Sequence, residues 1–206
     1  ICIDNNVIIC SDEIHFDLIM PGYTHTVFPT ISEEFADRCI MCTAPSKTFN
    51  LAGMQTSNII IKNEELRAKF YNHMLEEEVN PKCNVLGYAA NMAAYNHCEN
   101  WLDQVIALID GNRQLVEDFM AVHFPEIIIT PMEGTYLQWL DCNPLGIPFK
   151  ELAQLLRVDA KLFFDDGYIF GEQGEGFERW NLACPRHFVE EGLDRWKTAI
   201  DKRLGK

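Results

Sequence analysis

Apolar residues come in three short, continuous runs near the start of the chain: Val7-Ile8-Ile9-Cys10-Ser11, Arg38-Cys39-Ile40-Met41-Cys42-Thr43 and Ser57-Asn58-Ile59-Ile60-Ile61. Runs of this length predict strands, and their unbroken apolar character predicts strands covered on both faces of a sheet. The polar segments between them predict loops rather than full helices. The first run closes on Asp12-Glu13, and the second leads into Ser46-Lys47. Polar side chains therefore fall at strand ends, where open α/β sheets hold their ligands.

The pattern then turns helical. Asn63-Glu64-Glu65 opens a helix with acids at its positive end, and Asn80-Pro81 ends it. Residues 84–98 are alanine-rich and helical. Trp101, Val105, Leu108, Ile109, Leu115 and Phe119 recur at helical spacing, so 101–124 predicts a long helix that links two domains or bends at Gly111. From Glu126 onward the pattern predicts strands at 127–130 and 135–140 around the turn Pro131-Met132-Glu133-Gly134. A helix at 149–158, a strand at 179–183 and a closing amphipathic helix at 189–204 follow. Phe163, Phe164, Tyr168 and Phe170 are expected in the core. The fold class is α/β: residues 1–100 belong to a larger domain, 101–125 form a linking helix, and 126–206 form a small α+β domain.

Composition narrows the function classes. With 206 residues, 48% of them hydrophobic, the chain builds a sizeable core without staples. Its formal charge of −14 repels nucleic-acid phosphates and anionic membranes, and no basic run offsets it. No apolar stretch is long enough to span a bilayer. The opening residues carry neither an initiator Met nor a signal-peptide pattern, and Asp4-Asn5-Asn6 reads as a turn entering a strand. The chain is thus expected to begin within a longer protein. Eight cysteines without a secretory signal are expected to be buried, reduced thiols of a cytoplasmic protein. Cys39 and Cys42 have C-x-x-C spacing, but no second pair completes a zinc site, and no metal is expected.

The chemistry concentrates around Thr43-Ala44-Pro45-Ser46-Lys47-Thr48-Phe49-Asn50. A strand stops at Pro45 and a lysine follows at once. Burial at that lip would lower the amine's pKa and free it to attack a carbonyl; the plainer reading is a snorkelling surface lysine. Asp12, at the end of the first strand, is placed to pair with a cation in the same cleft, such as a protonated pyridine nitrogen, or simply to cap a turn. Asp12, Glu13, His15 and Asp17 together invite a metal reading, which strand alternation makes awkward. Gly171-Glu172-Gln173-Gly174-Glu175-Gly176 reads as a turn, because its glutamates repel phosphate.

Three segments occur in order: Ser11-Asp12-Glu13-Ile14-His15, then Ala44 through Gly53, then Arg179-Trp180-Asn181-Leu182-Ala183-Cys184-Pro185-Arg186. Together they resemble the class I/II aminotransferase superfamily of pyridoxal-phosphate (PLP) enzymes, fold type I. More narrowly they resemble its cystathionine β-lyase or cysteine C–S lyase group, C-terminal half only. The resemblance implies a partial large domain and a complete small one. It implies that Lys47 forms the Schiff base with PLP and moves the α-proton, and that Asp12 pairs with the pyridine nitrogen. His15 stands where many aminotransferases have a tyrosine near the cofactor's phenolic oxygen. Ser46 and Thr43 are implied phosphate contacts, and Arg186 the grip on the substrate α-carboxylate, which its planar fork suits. The implied activity is β-elimination from cystathionine or a cysteine-type amino acid, giving thiol, pyruvate and ammonia; transamination on the same scaffold and a truncated, non-catalytic fragment are the alternatives. The implied partners are an amino-acid substrate and, for the full-length form, a second copy in a homodimer. Two positions depart from the family pattern. Gln55 stands where many aminotransferases carry a phosphate-binding arginine, and Ala44 where serine is common. The resemblance also implies that the family's N-terminal half supplies a phosphate loop, a ring-stacking aromatic and further strands.

Overall fold

The strands form where the apolar runs predicted them, but shorter. In the computed structural model, which describes residues 1–77 and 83–205, the first is β1 (Ile9–Asp12). It is followed by the short helix α1 (Glu33–Arg38), β2 (Cys39–Thr43), the single-turn helix α2 (Pro45–Thr48) and β3 (Asn58–Ile61). The connections thus hold short helices of six and four residues within the loops expected there, and no full helix. Ser32 accepts a hydrogen bond from the Phe35 backbone N–H, and Glu33 and Glu34 sit in the first turn, so a capped helix forms inside the first connection. β1 pairs with β2 in parallel, with Asp12 opposite Cys42, while β3 returns antiparallel to β2. The sheet is mixed, in the order β1-β2-β3.

The strands are not covered on both faces. Cys39, Met41 and Thr43 are buried on one side of β2. Cys10, Asp12 and Ile59, which register with the other side, are exposed. The sequence carries apolar residues on both faces, yet the described residues bury only one. Two longer helices follow in this part of the chain. Asn63 caps α3 (Glu64–Glu76) through Leu66 N–H at 2.9 Å, and Asn84 caps α4 (Val85–His97) through Gly87 N–H at 2.7 Å. The expected break at Asn80-Pro81 lies outside the described residues. Helix α5 (Glu99–His123) continues through Gly111.

The chain divides into two compact units, Ile1–Asp103 and Gln104–Lys206. In the second, β4 (Ile128–Ile129), β5 (Leu137–Asp141), α6 (Phe149–Gln154), β6 (Asp165–Asp166), β7 (Phe177–Asn181) and α7 (Arg186–Leu204) follow in order. The four strands form an antiparallel sheet, β4-β5-β7-β6. β6 has no sequence signature, since Asp165 and Asp166 are poor strand formers; ladder pairing with Arg179 and Glu178 makes it a strand. On α7, Val189, Leu193, Trp196 and Ile200 form the buried stripe, at helical spacing. Trp196 stacks on Trp180 with ring centroids 6.1 Å apart, and Phe164 packs against both.

Two expectations about side-chain burial are corrected. Of the aromatic cluster only Phe164 is in the core: Phe163, Tyr168 and Phe170 are exposed. Arginines cover two of these rings, with Arg157 over Phe163 and Arg179 over Phe170 at 4.4 Å, so cation–π contacts hold them at the surface. All eight cysteines are free thiols, but only Cys39 and Cys142 are buried, while Cys10 and Cys83 are exposed. The C-x-x-C pair does not converge. Residues three apart on a strand face opposite ways, and the Sγ of Cys42 lies instead 3.9 Å from that of Cys10. No helix of the described residues is long and apolar enough to cross a membrane.

Candidate active site

The site begins at the C-terminal ends of two parallel strands. Because β1 and β2 run the same way with Asp12 opposite Cys42, Asp12 and the turn that follows Thr43 emerge at one edge of the sheet. Asp12 Oδ1 accepts a 3.2 Å hydrogen bond from Ile14 N–H, an Asx-type turn that ends the strand, and the side chain is otherwise exposed. Glu13 points the opposite way. It is buried and accepts from Ser11 Oγ at 3.0 Å, His25 Nε2 at 2.7 Å and Phe28 N–H at 3.0 Å. Burial by itself raises the Glu13 pKa, but the bonds from His25, Phe28 and Ser11 outweigh it and hold the carboxyl below its usual range. The Glu13 backbone N–H bonds Cys42 O at 2.9 Å, so the peptide after Asp12 is fixed to β2. His15 lies half-buried in the loop beyond, its carbonyl accepting from Leu18 N–H at 2.9 Å.

Ala44, Pro45 and Thr48 are buried, and Lys47 is exposed on the outside of α2. The expectation of a buried amine is thus corrected. A four-residue turn that tucks in Pro45 and Thr48 presents Lys47 to solvent. Lys47 makes no hydrogen bond or ion pair with the described residues, and Ser46 stands beside it, half-buried. Thr43 is placed differently: it lies on the buried face of β2, opposite to that of Asp12, and its Oγ1 accepts from Asn58 Nδ2 at 3.4 Å. Thr48, next to Lys47, donates to Asp17 Oδ2 at 2.9 Å, and Tyr95 of α4 donates to the same oxygen at 3.2 Å. The sequence reading met Asp17 only as a metal candidate and missed Tyr95, because contacts across that separation leave no local pattern. The carboxylates of Glu13 and Asp17 are engaged in hydrogen bonds, and no group of metal-ligating side chains occurs among the described residues.

Arg186, in the second unit, opens α7. Its Nε lies 3.1 Å from Glu190 Oε1, and its Nη1 donates to Gly111 O at 3.4 Å. Buried Asn112 holds the approach to it, donating from Nδ2 to Leu182 O and Cys184 O, both at 2.9 Å.

Among the described residues the amine of Lys47 is unengaged, the Asp12 carboxylate is tied through one oxygen, and a hydroxyl stands on the same turn as Lys47. An amine, an acid and a hydroxyl at one sheet edge fit an aldehyde-bearing pyridine phosphate.

No family model matches the chain. Curated and solved relatives do. The cystathionine β-lyase PatB of Bacillus subtilis is 38% identical over 97% of this chain and 51% of its own length. The crystal structure of cystalysin from Treponema denticola, which contains a pyridoxal 5′-phosphate cofactor, superposes with a TM-score of 0.94. It is 46% identical over 98% of this chain and 51% of that one. The PLP-bound C–S lyase from Staphylococcus hominis is 31% identical over 98% of this chain and 52% of its own, with a TM-score of 0.89. Aminotransferases are more distant: an aspartate aminotransferase of Pyrococcus abyssi is 24% identical. The chain spans about half the length of the relatives it matches. The mixed sheet with its lysine-bearing edge, the antiparallel second unit and these likenesses have one common reading: the chain has the fold of about half of a fold type I PLP subunit and is similar over that span to cystathionine β-lyases and C–S lyases.

Proposed function

We propose that this chain carries the Schiff-base lysine and the ring-nitrogen acid of a PLP-dependent C–S β-lyase acting on cystathionine or related cysteine-type amino acids. The observation that carries the reading is the parallel register of β1 and β2, which brings Asp12 and the Lys47 turn out at the same strand ends. When bound, the cofactor supplies an electron sink for the charge left on the substrate α-carbon. Lys47 would hold the cofactor through its aldehyde and serve as the base for the substrate α-proton. Asp12 would hold a proton on the ring nitrogen. Ser46 and Thr43 would hold the phosphate, and His15 would serve the phenolic oxygen. Arg186 leaves Glu190 to bind the substrate carboxylate. With cystathionine, one water is consumed and homocysteine, pyruvate and ammonia leave.

Residues 1–100 are proposed as part of the cofactor-binding large domain, 101–125 as the linking helix and 126–206 as the small domain. The full-length protein is proposed as a cytoplasmic homodimer. The test is reductive trapping: with PLP and borohydride, peptide mapping finds the pyridoxyl group on Lys47, and Lys47→Ala abolishes both trapping and thiol release from cystathionine. A Lys47→Ala protein that releases thiol at the original rate would falsify the reading. Pyruvate and ammonia formed without an added keto acid separate lyase from aminotransferase.

A further inference from the structure

Helix α2 is one turn long, too short to hold itself in place. Its N-cap, Ala44, offers no side-chain hydrogen bond. What fixes it comes from outside. Thr48 is almost fully buried at 1% exposure, so its hydroxyl needs an acceptor. That acceptor is Asp17 Oδ2, at 2.9 Å, reaching over from the loop that begins at Asp12. Tyr95 OH donates to the same oxygen at 3.2 Å and so brings in α4. The Tyr95 ring in turn meets Phe49 edge-on at 5.1 Å, directly after Thr48. One carboxylate thus ties together the loop following Asp12, the turn carrying Lys47 and a long helix.

We propose that Asp17 is a positioning residue for Lys47, holding the lysine turn against the Asp12 loop through Thr48 and Tyr95. The proposal rests on the reading of Lys47 as the cofactor lysine. Its role is indirect, since Asp17 contacts the residue after the lysine and not the amine. Burial first, then the charge of Asp17 and the bond to it, push the Tyr95 phenol up to about 12, so it remains a donor across the working range.

The test measures where PLP is trapped by borohydride in the full chain, as the ratio of pyridoxyl on Lys47 to that on Lys62 and Lys69. These two exposed lysines of the same unit serve as internal controls. In the unaltered chain Lys47 is expected to exceed each control by tenfold or more. Thr48→Val and Asp17→Asn are expected to cut that ratio at least fivefold, and Thr48→Ser, which keeps the hydroxyl, to restore it. Thermal unfolding is followed in parallel, and Tyr95→Phe, which removes one donor and no buried volume, reports by the same ratio if Thr48→Val does not fold. Folded Thr48→Val or Asp17→Asn protein with an unchanged ratio overturns the positioning role while leaving Lys47 as the cofactor lysine. No preference for Lys47 in the unaltered chain overturns the cofactor reading, and this proposal with it.

Discussion

Two buried carboxyls in this chain behave in opposite ways, and each gives a pH signature. Glu13 is held below the usual carboxylate range because three donors reach it against the cost of its burial. A depressed acid stabilises the fold above its unfolded pKa, and that stabilisation is lost as pH falls through the folded value. Glu13→Gln is accordingly expected to cost about 1–3 kcal/mol at pH 7. Thermal unfolding should show the gap between the two proteins closing as pH drops below the ordinary carboxylate value of 4.5. Glu178 of β7 is the reverse case. Its burial, then the neighbouring charge of Asp166, push it up to about 8, with Arg157 acting the other way, and its Oε2 has no hydrogen-bond partner among the described residues. A raised acid binds its proton more tightly in the folded state, so stability is full below pH 4.5 and falls as pH rises toward 8. The slope of that loss is at most about 1.4 kcal/mol per pH unit. Glu178→Gln should flatten it, and denaturant midpoints at pH 6 and 8.5 that differ as much in the variant as in the parent would contradict the assignment.

Helices here are held by caps and by stripes, and the two carry different weights. Ser32, Asn63 and Asn84 each accept from a backbone N–H of the first turn of α1, α3 and α4. Ser32→Ala is expected to cost about 1 kcal/mol, readable as a small shift of the urea midpoint. The stripe of α7 is worth more. Trp196 is fully buried, stacked on Trp180 and touching Phe164. Trp196→Ala should therefore destabilise the second unit by roughly 3–5 kcal/mol through lost burial and the cavity left behind. Three tryptophans remain but the fluorescence signal itself differs between the two proteins, so circular dichroism is the appropriate measure. The single-turn helix α2 has neither a cap nor a stripe, which is why its placement depends on Asp17 and Tyr95.

For the whole molecule, charge is the dominant global property. A formal charge of −14 makes the folded state repel itself. Screening weakens that repulsion, so the melting temperature is expected to rise between about 10 and 150 mM salt, where the Debye length shortens from roughly 30 to 8 Å. A fall across that range, measured by scanning calorimetry, would mean that the surface ion pairs outweigh the net repulsion. What the sequence determined by itself was local: the three apolar runs became β1, β2 and β3, Asn63 and Asn84 opened their helices, and the spacing along α7 marked its buried stripe. The motifs around Asp12, Lys47 and Arg186 were legible because their order along the chain is itself the signal. The tertiary structure alone decided which face of the sheet is covered, that Lys47 is exposed while Thr48 is buried, and that Phe163 and Phe170 lie under arginines at the surface. It also decided that Asp17 accepts from both Thr48 and Tyr95. The physical reason is the same in each case. Hydrogen bonds and ring contacts between segments far apart in sequence impose no periodicity, so only the folded chain brings their partners within reach.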